Sequence, residues 1–299
     1  MRILLALSVA FGLVACGTEE PPVAELTIDP PELDLGYSEV RRLRLSWRLL
    51  APLEGDRAGT TTLEGDPRVF VHLIDSPGDV LRTYDHQFPV AWSVGEEVEY
   101  FVEIHQSALG PPLKAGTYGL TVGLYSIDGH RWPLAVEGAE VDRHEYRVAS
   151  IEVSPPSVSP VFRFSDSWRP IESGLDRQVL GRRWLIGEGS IWITRAKEVR
   201  AVWMELLVPT AEVGLSRLML EEGANEPAVS IESACAGAEL LLTGSGWHQV
   251  EVPVGRSDDE TVSECEIVLR PNFELFLNGS LERRSVLLEG LAWSANGRY

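Results

Sequence analysis

Residues 43–49 read Leu-Arg-Leu-Ser-Trp-Arg-Leu, with apolar side chains alternating strictly with polar ones. A period of two puts one set on each face of an extended chain, which predicts a half-buried β-strand. The same period recurs in Val98-Glu-Tyr-Phe-Val-Glu-Ile104 and in Tyr118-Gly-Leu-Thr-Val-Gly-Leu124. Between such runs lie the turn signals Pro77-Gly78, Val94-Gly95, Gly110-Pro-Pro112, Ala115-Gly116 and Asp128-Gly129. Strands about ten residues apart with this punctuation predict an all-β chain of antiparallel sandwiches. The nearest approach to a helical pattern, Ala211 to Glu222, is interrupted by Gly214.

The strand pattern resumes after Val153-Ser-Pro-Pro-Ser-Val-Ser-Pro160, whose prolines stiffen the chain and withhold ladder donors. Beyond it, Ser190–Ile193, Ala201–Val208, Val250–Val254, Glu266–Leu269 and Val286–Leu288 read as further strands. A chain of 299 residues exceeds the usual share of one domain. We therefore read two consecutive β-sandwich domains, 25–152 and 161–299, joined by the proline-rich linker 153–160. No repeat links the halves, so two different sandwiches are expected, the first immunoglobulin- or fibronectin-like and the second jelly-roll-like.

The net charge of −19 makes the surface repel nucleic acid and anionic head groups. Any membrane association must then come from something other than a basic patch. Lysine occurs only at Lys114 and Lys197, so nearly all positive charge is arginine.

At the N-terminus, Arg2 precedes an apolar run from Ile3 to Ala15 that is broken only by Ser8 and Gly12. The run is shorter than the ~20 residues that span a bilayer and suits the core of a secretory signal. It ends in Leu13-Val14-Ala15-Cys16, which resembles the lipobox of bacterial lipoproteins. An ordinary signal that ends near a cysteine is the alternative. The resemblance implies removal of residues 1–15 and acylation of Cys16, with residues 16–24 as a short polar tether. It also implies a bacterial cell-envelope protein held by lipid, with Gly17 after Cys16 leaning toward the outer membrane. More than one acyl chain matters, because a single chain binds membranes only marginally.

With Cys16 acylated, Cys235 and Cys265 remain in a compartment where disulfides persist. A bond between them is expected, with two buried free thiols as the alternative.

In the first domain, Val69-Phe-Val-His-Leu73 is followed by Asp75-x-x-Gly78, Asp85-His86-x-x-Pro89 and Gly116-Thr-Tyr-x-Leu-x-Val-Gly-Leu-Tyr125. This order resembles an uncharacterised β-sandwich module of bacterial envelope proteins, often appended to membrane glycosyltransferases, over roughly residues 25–140. The module carries no established catalytic residues. Its glycines, tyrosines and turns are explained by packing alone. A metal set of His72, Asp75, Asp85 and His86 lacks the tight ligand spacing of zinc sites, and no calcium loop is present. Asp142 and His144 read as one face of a solvated edge, so neither a metal nor another cofactor is expected.

The second domain holds Trp168, Trp184, Trp192, Trp203, Trp247 and Trp293. Ser167-Trp-Arg-Pro-Ile-Glu172 followed by Gly181-Arg-Arg-Trp184 resembles, in part, an envelope sandwich with a G-W-x-x-x-E element before W-R-W. Such domains are similar to jelly-roll carbohydrate-binding modules. The resemblance implies a sugar site at Trp168, Glu172, Arg183 and Trp184, since aromatic faces stack on sugar rings. Core packing competes as an explanation for every tryptophan. Trp192 alternates with Ile191 and Ile193, so inward isoleucines would turn it outward as a further platform.

Catalytic signatures are absent. Gly244-Ser-Gly246 lacks the G-x-S-x-G spacing of a nucleophile elbow, and no phosphate loop or dinucleotide fingerprint occurs. A non-catalytic binding role is expected, toward an envelope glycan or, alternatively, toward protein partners in an envelope complex. A hydrolase whose site the sequence hides is the third possibility.

Overall fold

The computed structural model describes residues 20–53, 67–156, 160–172, 181–194, 199–210, 217–254, 264–276 and 283–295. The signal segment, Cys16, linker residues 157–159 and residues 211–216 lie outside that set. The described residues form strands and connecting turns without a helix, so the chain is all-β.

The first half contributes twelve strands. They are β1 (Ala24–Asp29), β2 (Glu32–Leu35), β3 (Val40–Leu49), β4 (Arg68–Ile74), β5 (Val80–Thr83) and β6 (His86–Gln87). Next come β7 (Glu97–His105), β8 (Gly116–Tyr125), β9 (Arg131–Trp132), β10 (Leu134–Val136), β11 (Ala139–Asp142) and β12 (Glu145–Val153). One sheet runs β10-β1-β3-β7, and the other runs β11-β12-β8-β4-β5 with β2, β6 and β9 at its margins. The alternation in 43–49 decides the packing: Leu43, Leu45, Trp47 and Leu49 are all buried. They meet Val69, Val71 and Leu73 of β4 and Leu120, Val122 and Leu124 of β8 in one core. Burying such side chains contributes roughly 1.5–3 kcal/mol each.

The second half contributes β13 (Phe162–Phe164), β14 (Arg183–Trp184), β15 (Gly189–Thr194), β16 (Ala201–Val208), β17 (Arg217–Leu220) and β18 (Ala228–Ser233). The remainder are β19 (Ala238–Thr243), β20 (Gly246–Pro253), β21 (Glu264–Pro271), β22 (Phe273–Phe276), β23 (Arg283–Arg284) and β24 (Leu287–Ser294). A five-stranded sheet, β13-β15-β21-β18-β19, shares a core with a four-stranded sheet, β14-β24-β16-β20. A small third sheet runs β17-β22-β23. Residues 217–220, within the nearest candidate for a helix, form strand β17. Cys235 and Cys265 are bonded, with Cα atoms 5.7 Å apart, tying the turn after β18 to the start of β21.

The halves are docked on each other through backbone as well as side chains. The Ala108 amide donates to the Leu291 carbonyl at 2.7 Å, and the Trp293 amide donates to the Ser38 carbonyl at 2.7 Å. First-half residues thus occupy the edge of β24 beyond the short strand β14. Trp203 packs with Val40 and Ala292, its ring 4.4 Å from that of His105. Arg42 bridges the halves by pairing with Glu251 at 2.5 Å, with Glu103 at 3.7 Å on its own side. Trp203 therefore serves the contact between halves, while Val202 and Met204 on either side of it face the sandwich core.

Candidate functional site

The outer face of the four-stranded sheet carries the most open aromatic surface in the second half. On β16, Val202, Met204, Leu206 and Val208 point into the core, which turns Trp203, Glu205 and Leu207 outward. On β20, buried Val250 and Val252 likewise turn Trp247, Gln249 and Glu251 outward. The register then sets Trp184 beside Leu287, Leu287 beside Leu207, and Leu207 beside Trp247. Four apolar residues thus form one row across four strands. At the usual strand spacing its terminal tryptophans lie about 14 Å apart. Trp247 is 51% exposed, Trp184 and Leu207 are half-buried, and Leu287 is covered.

Charged groups flank the row. The Arg284 guanidinium lies 5.1 Å above the Trp184 ring and pairs with Glu172 at 3.5 Å. Arg182, two residues from Trp184 and on its face, reaches the same carboxylate at 3.8 Å. Next to the row on β16, Glu205 accepts a hydrogen bond from Gln249 Nε2 at 3.0 Å. Burial raises the pKa of Glu205. Glu289 is raised first by burial and then by the nearby Glu205 charge. An apolar ledge with carboxylate, amide and guanidinium groups at its margin can stack on a ring face and hydrogen-bond its hydroxyls.

The structure distributes the residues singled out from the sequence over three places. Glu172 and Trp184 meet through Arg284 at the ledge. Trp168 is 3% exposed, donates its indole N–H to the Ser190 carbonyl and sits edge-on to Phe164. A large ring with a satisfied polar edge is most stable in the core, so Trp168 offers no stacking surface. Arg183 faces away from Trp184. Its guanidinium donates to the carbonyls of Arg169 and Trp168 and lies 4.2 Å over Phe164. Trp192 does point outward between buried Ile191 and Ile193, under Arg163, but on the other sheet. One ligand cannot touch both Trp184 and Trp192.

Trp247, Leu207, Arg182 and Arg284 complete the ledge and were not singled out. For Trp247 the signal was present: extending the alternation of Val250, Val252 and Val254 backward puts residue 247 on the outer face. The Arg284 contact depends on how β23 folds back and has no local sequence signature.

The candidate metal set of the first half is taken apart. Asp75 accepts from the amides of Gly78 and Asp79 in the β4–β5 turn, and His86 bonds the Tyr84 carbonyl and the Tyr100 hydroxyl. His72 instead lies between Asp85 and Glu145, at 3.4 Å from each. Burial works against its protonation, but the two carboxylates outweigh burial and lift its pKa to about 9. Glu145 is held below its ordinary value chiefly by hydrogen bonding to His72, against burial, with Thr121 adding to the effect.

A raised histidine stabilises the fold fully below its unfolded value near 6.5, and the contribution disappears as pH rises through about 9. The depressed Glu145 contributes above its unfolded value near 4.5, and that part is lost as pH falls. Thermal midpoints should therefore fall between pH 6.5 and 9 in the native protein more steeply than in a His72→Gln variant. Parallel curves for the two proteins would contradict a charged His72.

No known protein family matches this chain, and no curated protein matches it. The functional reading therefore rests on the geometry of the ledge.

Proposed function

We propose that this chain is a lipid-anchored cell-envelope protein whose second half binds an envelope glycan without cleaving it. The observation that carries the reading is the in-register row Trp184–Leu287–Leu207–Trp247, open at Trp247 and edged by Glu172, Arg182 and Arg284. Trp247 and Leu207 offer the stacking face, and Trp184 lies about 14 Å from Trp247 beyond the covered Leu287. The flanking groups then supply hydroxyl partners. Trp247→Ala should weaken glycan binding roughly tenfold or more, since each 1.4 kcal/mol of lost stacking is tenfold. Trp192→Ala, on the opposite sheet, should leave binding unchanged. Affinity measurements on a glycan array with both variants provide the test. Absence of binding to any envelope polysaccharide, or equal binding by the Trp247→Ala protein, would overturn the glycan reading.

Anchoring rests on the Leu13-Val14-Ala15-Cys16 sequence. Cys16→Ser should shift the protein from the membrane fraction to the soluble fraction and abolish palmitate incorporation. Retention of the variant in membranes would remove the lipid as the anchor.

A role in assembling protein partners is the second reading, favoured by β19. This terminal strand of the five-stranded sheet exposes Leu241 at 66%. Exposed strand edges are templates for a partner's strand. Crosslinking in cells, with Leu241→Lys as the disrupting variant, separates this reading from glycan binding.

A further inference from the structure

The two ends of the first sandwich differ in what they touch. At one end, Ser38, Val40, Arg42 and Ala108 grip the second half. At the other end the chain enters. There the Leu50 amide donates to the Val23 carbonyl, the Gly95 amide to the Leu49 carbonyl, and the Val23 amide to the Pro133 carbonyl. Strand β3 runs from Val40 to Leu49 between these ends, a span of about 30 Å at the usual rise per residue.

Apolar exposure is concentrated at the entry end. Seven large hydrophobic residues are exposed in the first half among the described residues, and five of them lie there: Leu50, Val90, Val94, Ile127 and Val141. Register places the turns that carry them together. Tyr125 pairs with Arg131 on one side of the Ile127 turn, and Arg68, where β4 begins, pairs with Tyr125. Arg131 also donates to the Arg143 carbonyl of the β11–β12 turn. His144 of that turn lies 3.5 Å from Glu20. Glu20 is four residues from Cys16, a stretch that can reach about 14 Å at most.

We propose that this rim of exposed apolar residues rests on the lipid bilayer, so that the first sandwich stands on the membrane and carries the second half on its far side. The proposal builds on the reading of Cys16 as the lipidated residue. A tether this short keeps the entry end within about 14 Å of the lipid-bearing residue. The strongly acidic chain makes apolar contact, rather than attraction to anionic head groups, the favourable term. The glycan ledge would then face the space beyond the membrane.

The test uses the lipidated protein in vesicles of phosphatidylethanolamine and phosphatidylglycerol containing brominated lipid. With Cys16 acylated and Cys235 bonded to Cys265, a cysteine introduced at Val94, Ile127 or Leu241 is the sole free thiol and takes an environment-sensitive dye. Val94→Cys and Ile127→Cys should show a blue shift and loss of emission to the brominated lipid, whereas Leu241→Cys should show neither. Equal, unquenched emission at all three positions, with the Cys16 lipid verified by mass, would overturn the proposal while leaving the anchor intact. If the mass shows no lipid at Cys16, the anchor reading fails. The rim proposal then falls with it, and quenching without a lipid at Cys16 does not count as docking.

Discussion

Cys235→Ser is expected to lower the unfolding free energy by about 3–4 kcal/mol, the loop-entropy value for a closed loop of this length. The bonded residues are 30 apart in sequence, so without the bond the unfolded chain regains the freedom of that whole loop. The native state already pairs β18 with β21, so removing the bond breaks few native contacts. Most of the effect should therefore come from the unfolded ensemble. Cys265→Ser should cost more than Cys235→Ser, because Cys265 is fully buried in the apolar core and Cys235 is only partly covered, even with the Ser233 hydroxyl 3.8 Å from Cys265 Sγ as a polar neighbour. Urea titrations with and without reductant measure both. A loss below about 1 kcal/mol for Cys235→Ser would contradict the loop argument. Two reactive thiols in the unreduced, denatured chain would contradict the bond itself.

Gly123→Ala should destabilise the first half by about 2–3 kcal/mol through overpacking. Gly123 of β8 pairs directly with Phe70 of β4. A methyl group there would lie 2.1 Å from Phe70 Cζ and 2.6 Å from the His144 carbonyl oxygen. The ring has nowhere to move, because it stacks on His72 at 4.8 Å and lies 4.7 Å beneath the Arg131 guanidinium. The backbone carbonyl on the other side belongs to the β11–β12 turn and is equally fixed. Shrinking the ring should relieve part of the clash, so Phe70→Leu combined with Gly123→Ala should cost less than the sum of the single changes. Strictly additive costs in chemical denaturation would show that the clash is not with Phe70.

Much of the architecture was legible because strands write their burial locally. Leu43 to Leu49 and Tyr118 to Leu124 declare their inner faces by alternation, and the structure buries those faces. Trp192 was placed outward by the same rule, and Trp247 was open to it. The candidate site was only half legible. Glu172 and Trp184 belong to the ledge, but neighbours in sequence are not neighbours on a surface. Arg183 and Trp184 point to opposite faces of one strand. Trp168, four residues before Glu172 in sequence, is consumed by the core.

His72 illustrates the same limit from the other side. Sequence proximity put His72 beside Asp85, from the loop before β6, but did not bring in its second partner, Glu145 of β12. No local pattern reports a carboxylate that arrives from 73 residues away.

Period-two alternation and turn residues were enough to determine the all-β class and the inner face of most strands, since each depends on contacts within a few residues. Sheet order, the docking of Ser38 and Ala108 along β24, and the joining of Trp184 to Trp247 across two intervening strands were decided only by the tertiary structure. These depend on contacts between segments far apart in the chain, from Trp184 and Leu287 to Ser38 and Trp293, and register is set by how whole faces pack rather than by any residue's own preference.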